Sequence, residues 1–256
     1  MKNNQKRNNS KPIIIISVVI VTLIIVAIVL TTIINKQINK QTKKKQQSTN
    51  TTSTHSYSSG DGWAQIPSAT GDHSAKPIIY LYPNETTNVY VKLGRPENIT
   101  CSYPKYINGW KVEANPNGTL KYLETDRELY SLYYECSNSV DFKVEKDGFV
   151  VKSEDISNFL EEKLATLGLN EREAEEFIVY WLPKLEANKY NYIRFASEDE
   201  IGSNMPLDID PNPDTLIRVL MIFKGLDNPI EVEEQQLITP ERKGFVAVEW
   251  GGVDLN

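Results

Sequence analysis

The pattern of apolar and polar positions divides the chain into three parts, of which the first is a long apolar run. Residues 13–34 form twenty-two residues without a charged side chain. An α-helix rises about 1.5 Å per residue, so a run of this length crosses the roughly 30 Å hydrocarbon core of a bilayer. A cleaved signal peptide has a shorter apolar region that ends in small residues, which this run lacks. We therefore expect an uncleaved signal-anchor, a single-pass transmembrane helix in contact with the lipid bilayer.

Lysine and arginine residues lie on both sides of this run, so the positive-inside rule alone does not orient it. A short N-terminal tail is usually retained, and a long following domain can be translocated whatever its charge. We expect residues 1–12 to be a cytoplasmic tail and the C-terminal domain to lie outside the cytoplasm, on the surface of the cell membrane. The alternative is that the lysines after the run bind anionic lipid head groups.

The second part, residues 35–75, is rich in small polar side chains. The stretch from Gln46 to Ser59 has almost no apolar residue, so it cannot bury enough surface to offset the entropy of the chain. We interpret residues 35–75 as a disordered polar linker, a flexible stalk, and we place the start of the folded domain near Lys76.

The third part, residues 76–256, begins with short segments in which apolar and polar residues alternate. This is the period of a half-buried β-strand, and it is clearest in Thr87–Leu93 and Val140–Glu145. The segment from Asn115 to Gly118 predicts a hairpin turn, because Asn and Gly tolerate positive φ. The other predicted strands are Ile78–Tyr82, Ile99–Tyr103, Trp110–Ala114, Leu120–Glu124, Glu128–Glu135, Tyr190–Ala196, Thr215–Lys224 and Phe245–Trp250.

Two apolar stripes of helical period interrupt the strands. Ser153 is the predicted N-cap of the first helix, which Gly168 ends. Asn170 is the predicted N-cap of the second, and Glu173 three residues later completes a capping box. Pro183 should bend or shorten this helix, because it lacks a backbone N–H. The tight connection indicates an antiparallel helical hairpin packed on the sheet.

The complete pattern predicts an α+β fold, a mostly antiparallel and sandwich-like β domain with an inserted helical hairpin. Residues 76–256 carry nineteen Lys and Arg against thirty-two Asp and Glu, a net charge of −13, whereas residues 1–75 carry a net charge of +7. Phosphate neutralisation needs a basic face, so we expect no nucleic-acid partner for the folded part.

Several kinds of chemistry are excluded by composition. The two histidines, His55 and His73, precede the predicted domain, which rules out Ser/His/Asp and Cys/His catalysis and a His-ligated zinc site within it. The chain has no P-loop and no G-x-G-x-x-G motif. We expect no cofactor.

Cys101 and Cys136 are the two cysteines of the chain. If the domain lies outside the membrane, they are candidates for a disulfide that closes a loop of about 36 residues, for which chain entropy gives roughly 3.5–4 kcal/mol. The alternative is two unpaired small residues of the core.

A segment rich in oxygen-bearing side chains precedes a late strand. Alternate ligands of this kind begin a calcium-binding loop, but Pro213 stands where the loop needs Gly and Val219 where it needs a bidentate Glu. A turn before a strand is the simpler interpretation, with a metal site as the alternative. The candidate ligands are Asp208, Asp210, Asn212 and Asp214.

Three charged residues lie within apolar strands. Arg194, Arg218 and Glu249 each share a strand face with apolar or aromatic residues. A buried charge must be paired, so we predict an ion pair between Glu249 and either Arg218 or Arg194. The pair is either structural or part of a polar site ringed by Trp110, Trp250 and tyrosines, of the kind that suits sugar or peptide ligands.

Two blocks at the ends of the domain are distinctive, K-P-I-I-Y-L-Y-P at Lys76–Pro83 and E-R-K-G-F-V-A-V-E-W-G-G at Glu241–Gly252. They resemble the K-P-x-I-Y-L-Y-P and E-R-x-G-F-x-x-V-E-W-G-G blocks of a group of uncharacterised bacterial envelope proteins. The resemblance runs through Gly109–Val112 and the helical hairpin, and it implies that residues 76–252 form one domain. It implies no catalytic role.

The leading hypothesis from the sequence is a membrane-anchored protein with a non-catalytic binding domain, whose ligand is an envelope polymer, a peptide or a membrane protein. The alternative is an envelope-polymer hydrolase with Glu241 and Glu249 as its carboxylates, since glycosidases need two carboxyl groups roughly 5–9.5 Å apart. The candidate ligand-binding residues are Trp110, Arg194, Arg218, Glu241, Arg242, Glu249 and Trp250.

Overall fold

The computed structural model describes residues 73–256 of the chain. The predicted tail at residues 1–12, the apolar run at 13–34 and nearly all of the predicted stalk lie outside these residues. Within residues 73–256, no helix has both the length and the apolar character needed to cross a membrane. The first strand begins at His73, so regular structure starts three residues before the predicted boundary at Lys76.

Thirteen strands and three α-helices are present within residues 73–256. The strands are β1 (His73–Tyr82), β2 (Thr87–Leu93), β3 (Ile99–Tyr103), β4 (Trp110–Ala114), β5 (Leu120–Tyr122), β6 (Arg127–Leu129), β7 (Leu132–Ser137), β8 (Asp147–Lys152), β9 (Tyr190–Phe195), β10 (Leu207–Asp210), β11 (Thr215–Leu226), β12 (Glu233–Glu234) and β13 (Val246–Asp254). The helices are α1 (Ile156–Thr166), α2 (Glu171–Glu186) and α3 (Glu198–Asn204).

The strands form two sheets. The larger has eight strands in the order β12-β8-β9-β11-β13-β1-β7-β3, and the smaller has five in the order β10-β2-β4-β5-β6. Neighbouring strands run antiparallel, except that β11 is parallel to β13 and β12 is parallel to β8. The prediction of a mostly β, mostly antiparallel domain with few helices is confirmed.

The larger sheet is the middle layer of the domain. One of its faces packs on the smaller sheet through a core that contains Leu81, Val91 and Trp110. The other face packs on α1 and α2 through a second core, in which Trp181 and Trp250 are both fully buried. Because successive residues of a strand point to opposite faces, strands such as β1 are apolar on both sides and serve both cores.

Several elements match their predicted bounds. Thr87–Leu93, Ile99–Tyr103 and Trp110–Ala114 are strands over the predicted residues. The predicted hairpin turn joins β4 to β5, where the amide of Gly118 donates to the carbonyl of Asn115 at 2.9 Å. Gly118 has a φ of +84°, which explains why glycine stands there.

The predicted strand Glu128–Glu135 is two strands of different sheets, β6 and β7, and another predicted strand is absent. The segment Val140–Glu145 is irregular, and the strand β8 forms directly after it. Phe142 is fully buried and packs with Ile222 and Leu255 in a third apolar cluster. The alternation of apolar residues in this segment therefore reflects a loop packed against the sheet rather than a strand paired within it.

The helical hairpin forms as predicted, but only one of the two predicted caps does. The Asn170 side chain accepts from the amide of Glu173 at 2.9 Å, and the Glu173 carboxylate accepts from the amide of Asn170 at 2.8 Å. The predicted N-cap at Ser153 is wrong, because its hydroxyl donates to the carbonyl of Asn188 and α1 begins three residues later. Pro183 lies inside α2 without ending it.

The two distinctive sequence blocks lie on adjacent strands. β1 and β13 pair antiparallel, which places Ile78 opposite Trp250 and Ala75 opposite Gly252. The register shifts between Ala75 and Ile78, so residues 76–77 form a β-bulge. The two blocks therefore form one structural unit in the middle of the larger sheet.

Candidate functional site

The helical hairpin leaves part of the larger sheet uncovered. Eight strands about 4.8 Å apart span roughly 34 Å, whereas two helices about 10 Å wide cover roughly 20 Å. Two grooves flank the hairpin on this face. One lies between β8 and α1, has a volume of about 800 Å³, and combines the side chains of Phe149 and Phe159 with an acidic rim. The other lies beside α2, at the opposite side of the sheet.

The groove beside α2 is lined mainly by tyrosines and has a volume of about 530 Å³. We refer to it as the tyrosine groove. This volume is in the range of 300–1,000 Å³ that is typical of ligand sites. The residues that line it are Lys76, Ile78, Tyr103, Arg127, Glu128, Leu129, Tyr130, Ser131, Tyr133 and Tyr180.

Four tyrosines from different elements meet in this groove. Tyr103 and Tyr133 lie directly opposite each other on β3 and β7. Tyr130 is in the connection between β6 and β7, and Tyr180 is on α2. Tyr103 and Tyr130 are each 47% exposed, although large aromatic side chains are usually more buried. The groove therefore presents aromatic surface to solvent.

Two cations lie over the aromatic rings of the groove. The ammonium of Lys76 is 4.7 Å from the ring centre of Tyr180 and 5.9 Å from that of Trp250. The guanidinium of Arg127 is 5.7 Å from the ring centre of Tyr103. Such contacts are worth about 0.5–1 kcal/mol at exposed sites. They hold both the rings and the cations in place.

The backbone of Lys76 is in the left-handed region, with φ at +54°. A residue with a Cβ adopts this conformation at a cost of about 1–3 kcal/mol, and such positions are common at binding sites. Lys76 occupies the β-bulge of β1, where the register of the strand shifts. The bulge directs the lysine toward Tyr180 and so brings its charge to the groove.

Two further basic residues lie next to the groove on α2. The ammonium of Lys184 is 4.3 Å from the ring centre of Tyr180 and donates to its hydroxyl at 3.1 Å. The guanidinium of Arg172 is 4.5 Å from the ring centre of Tyr130 and forms an ion pair with Glu176 at 3.1 Å. Lys184 therefore adds positive charge beside the groove, whereas the charge of Arg172 is balanced by Glu176.

Tyr133 in the groove and Tyr80 beneath it stay protonated at neutral pH. Burial and then a hydrogen bond to Glu135 raise the pKa of Tyr133 above its usual value. Burial and then Glu176 raise the pKa of Tyr80, whose hydroxyl donates to that carboxylate at 2.7 Å. These two phenol groups are thus uncharged hydrogen-bonding groups, and Lys76, Arg127 and Glu128 supply the charge of the groove.

The predicted ion pair of Glu249 is confirmed, with Arg218 as its partner. Nε of Arg218 donates to the Glu249 carboxylate at 2.6 Å, and the two side chains are 9% and 5% exposed. The hydroxyl of Tyr134 donates to the same carboxylate at 2.6 Å, and Arg218 also donates to the Met205 carbonyl at 2.8 Å. The adjoining cavity is about 10 Å³, room for about one water molecule. This cluster holds the core together and leaves no space for a ligand.

The other two predicted arginines also form ion pairs. Arg194 is buried and donates two hydrogen bonds to Glu200 on α3, at 3.0 and 2.8 Å. Arg242 donates to the fully buried Glu173 at 3.0 and 3.1 Å, and to the carbonyl of Gly168 at 2.8 Å. Arg242 thus joins the segment before β13 to the start of α2, and both arginines are structural.

The structure does not bring the remaining predicted site residues together. Trp110 lies in the core between the sheets and Trp250 in the core under the helices, so the predicted site ringed by both is wrong. Glu241 is 73% exposed and pairs with Lys243 at 2.6 Å, whereas Glu249 is buried. The cavity that Glu249 lines does not include Glu241, so these carboxylates do not face each other across a cleft.

The four candidate metal ligands lie on β10 and in the connection from β10 to β11. Asp208 and Asp210 lie on β10, and the carboxylate of Asp214 accepts from the amide of Phe245 at 2.7 Å. Asn212 lies in the bend between β10 and β11. Within residues 73–256, no group of three or more His, Cys, Asp and Glu side chains is arranged to hold a metal ion.

The predicted disulfide does not form in this structure, in which both cysteines are thiols. Cys136 is fully buried between the sheets, whereas Cys101 is exposed and lies opposite Glu135 in the register of β3 and β7. The two side chains are on opposite faces of the larger sheet, which keeps their sulfur atoms apart.

Comparisons of the whole chain with protein-family models, with curated proteins and with solved structures each gave no match.

Proposed function

We propose that this protein is a membrane-anchored binding protein of the cell surface, and that the tyrosine groove holds its ligand. The observation that carries this proposal is the convergence of four tyrosines and two cations in one open groove. Exposed aromatic faces bordered by a few polar groups are typical of surfaces that bind sugars or peptides. The envelope location follows from the apolar run at residues 13–34 and from the resemblance to envelope proteins.

Binding is better supported than hydrolysis by the placement of the carboxylates. Glu249 is held by Arg218 and Tyr134 in the core, and Glu241 is exposed elsewhere. Glu128 is the carboxylate that lines the tyrosine groove. Hydrolysis with two carboxylates needs both of them at one cleft, so the hydrolase hypothesis is the weaker one.

The location can be tested by protease treatment of intact cells that express the full chain. We expect digestion of the C-terminal domain while a cytoplasmic marker protein remains intact. A domain that resists digestion in intact cells, but is digested after lysis, would place it in the cytoplasm and contradict the proposal.

The binding role can be tested with purified envelope polymer and the full chain in lipid nanodiscs. We expect sedimentation of the protein with the polymer, and a loss of at least tenfold in affinity for Tyr103→Ala and Tyr130→Ala. Tyr90→Ala is the matched control, because Tyr90 lies on β2 outside the groove, with lysines 4.7 and 5.5 Å from its ring centre. Equal losses in all three variants, or no binding at all, would refute the role of the groove.

A further inference from the structure

We infer that the ligand of the tyrosine groove is an acidic carbohydrate chain, one that carries carboxylate or phosphate groups on its sugar rings. This inference rests on the proposed function and adds the chemical class of the ligand. It follows from two properties of the groove, its unneutralised positive charge and the exposure of its aromatic faces.

The cations of the groove have no acidic partner within residues 73–256. Lys76, Arg127 and Lys184 contact aromatic rings, and none of them forms an ion pair with Asp or Glu in this part of the chain. This is notable because residues 76–256 contain thirty-two acidic residues against nineteen basic ones. Glu128 also lines the groove, so the lining carries two cations and one carboxylate, and the net charge of +1 is what an anionic ligand can neutralise.

The two cations that line the groove come from different strands. Lys76 is at the bulge of β1 beside Tyr180, and Arg127 is on β6 beside Tyr103. Both line the groove together with the four tyrosines. A chain with repeated acidic groups can reach both cations, because each of them lines the groove.

The aromatic surface favours sugar rings over peptide side chains. Tyr103 and Tyr130 are half exposed, so the part of each ring that its arginine leaves uncovered can stack on a sugar, and their hydroxyl groups can exchange hydrogen bonds with sugar hydroxyls. Peptides that are anchored by apolar side chains need apolar pockets. Aliphatic surface in this groove is limited to Ile78 and Leu129, and Ile78 is itself buried.

The experiment uses the full chain in nanodiscs of zwitterionic lipid and three polymers of matched length. Polygalacturonate is the acidic carbohydrate, dextran the neutral carbohydrate and polyglutamate the acidic peptide. We expect polygalacturonate to bind at least tenfold more tightly than either of the others, and its affinity to fall as salt rises. The basic residues before the domain are present in every variant, so they cannot produce a difference between variants.

Substitutions of the basic residues test whether the polymer binds in the groove. We expect Arg127→Gln, a change at an exposed residue, to weaken polygalacturonate binding at least fivefold, and Lys76→Gln to do the same. Lys76→Arg should restore most of the affinity, which separates the charge of Lys76 from its role in the bulge. The control is Lys111→Gln, since Lys111 lies over Tyr90 outside the groove, and we expect no change.

Each other outcome overturns the inference. Dextran that binds as well as polygalacturonate would refute the acidic requirement, and polyglutamate that binds best would refute the carbohydrate. Absent binding of polygalacturonate, or binding that is unchanged in Arg127→Gln and Lys76→Gln, would refute both the acidic requirement and the carbohydrate. Sedimentation with envelope polymer that depends on Tyr103 and Tyr130 would still support the proposed function in each case, so the two failures are distinguishable.

Discussion

Trp181 packs directly against the backbone of Gly252, where a Cβ atom would lie 2.5 Å from Cζ2 of the indole. Carbon atoms in contact are normally about 3.5–4 Å apart, so no side chain fits there without displacing the ring or the strand. Trp181 is on α2 and Gly252 is on β13. Their contact is thus a point at which the helical hairpin approaches the larger sheet most closely.

Gly252→Ala should therefore destabilise the domain by about 1–3 kcal/mol, the usual cost of overpacking a core. Gly202→Ala is the matched control, because no atom lies within 4 Å of a Cβ at that position of α3. In a helix this second change should stabilise by up to about 1 kcal/mol. Denaturant unfolding of the full chain in detergent micelles, followed by tryptophan fluorescence, measures both, since Trp110, Trp181 and Trp250 are buried. Equal effects of the two substitutions would contradict the packing argument.

Arg218→Met should destabilise the domain by about 3–5 kcal/mol, because it leaves the Glu249 carboxylate buried without its cation. The double variant Arg218→Met with Glu249→Leu should recover much of this loss, since apolar residues of similar size replace both charges. Lys121→Met is the control, as its ion pair with Asp126 is 48% and 79% exposed and should contribute little to stability. A cost for Arg218→Met no larger than that of Lys121→Met would show that the buried pair is not required.

Arg242→Met should have a comparable cost, about 3–5 kcal/mol, because Glu173 is fully buried and loses the arginine that holds it. Asn170→Ala removes a cap of the same helix but leaves the ion pair intact, so it should cost about 1 kcal/mol. The same unfolding measurement separates the two. If Arg242→Met costs no more than Asn170→Ala, Arg242 does not hold the hairpin in place.

These predictions rest on features that the sequence indicated to different degrees. The capping box of Asn170 and Glu173 could be predicted because both partners lie within four residues. The Arg218–Glu249 pair was one of two possibilities, since a charge within an apolar strand requires a partner without specifying which one. The burial of Glu173 under Arg242 could not be predicted, because it depends on how a loop before β13 meets a helix made of residues far earlier in the chain.

The domain should lose stability in alkaline solution. Burial, and after it the neighbouring Glu249 charge, raise the pKa of Tyr134 well above its ordinary value of 10. An unfolded tyrosine ionises near pH 10 while the buried one stays protonated, so its stabilising contribution is complete below pH 10 and is lost as the pH rises toward the folded-state pKa. Unfolding of the wild type and of Tyr134→Phe at pH 7 and at pH 10.5 tests this. The variant should lose less stability between the two pH values, and an equal loss would contradict the assignment.

The two cysteines should differ sharply in reactivity. Cys101 is exposed and Cys136 is fully buried, so a maleimide should label one thiol per native chain in micelles and two after denaturation, without added reductant. Cys101→Ser should abolish the native labelling and leave the second site. Mass spectrometry counts the labels. Two labels that appear only after reduction would show that the disulfide expected from the sequence forms after all.

The tyrosine groove was missed by sequence reasoning for a physical reason. Its side chains come from β1, β3, β6, β7, the connection between β6 and β7, and α2. These are separated by up to about a hundred residues, and only the packing of both sheets and the helix brings them together. The available signal was the density of tyrosines around Tyr130 and Tyr133. The sequence favours Trp110 and Trp250 instead, because aromatic rings with a few polar groups suit sugar or peptide ligands, yet both indoles fill cores.

The position of Lys76 has a mechanical consequence. Lys76, which lines the groove, is the fourth residue of β1, and residues 1–72 of the chain are joined to the domain through that same strand. Tension between a held ligand and those preceding residues would be transmitted along β1, which is hydrogen-bonded to β13 on one side and β7 on the other. A strand pulled lengthwise must break its hydrogen bonds to both neighbours together, so β1 should resist extension at the end where the groove begins.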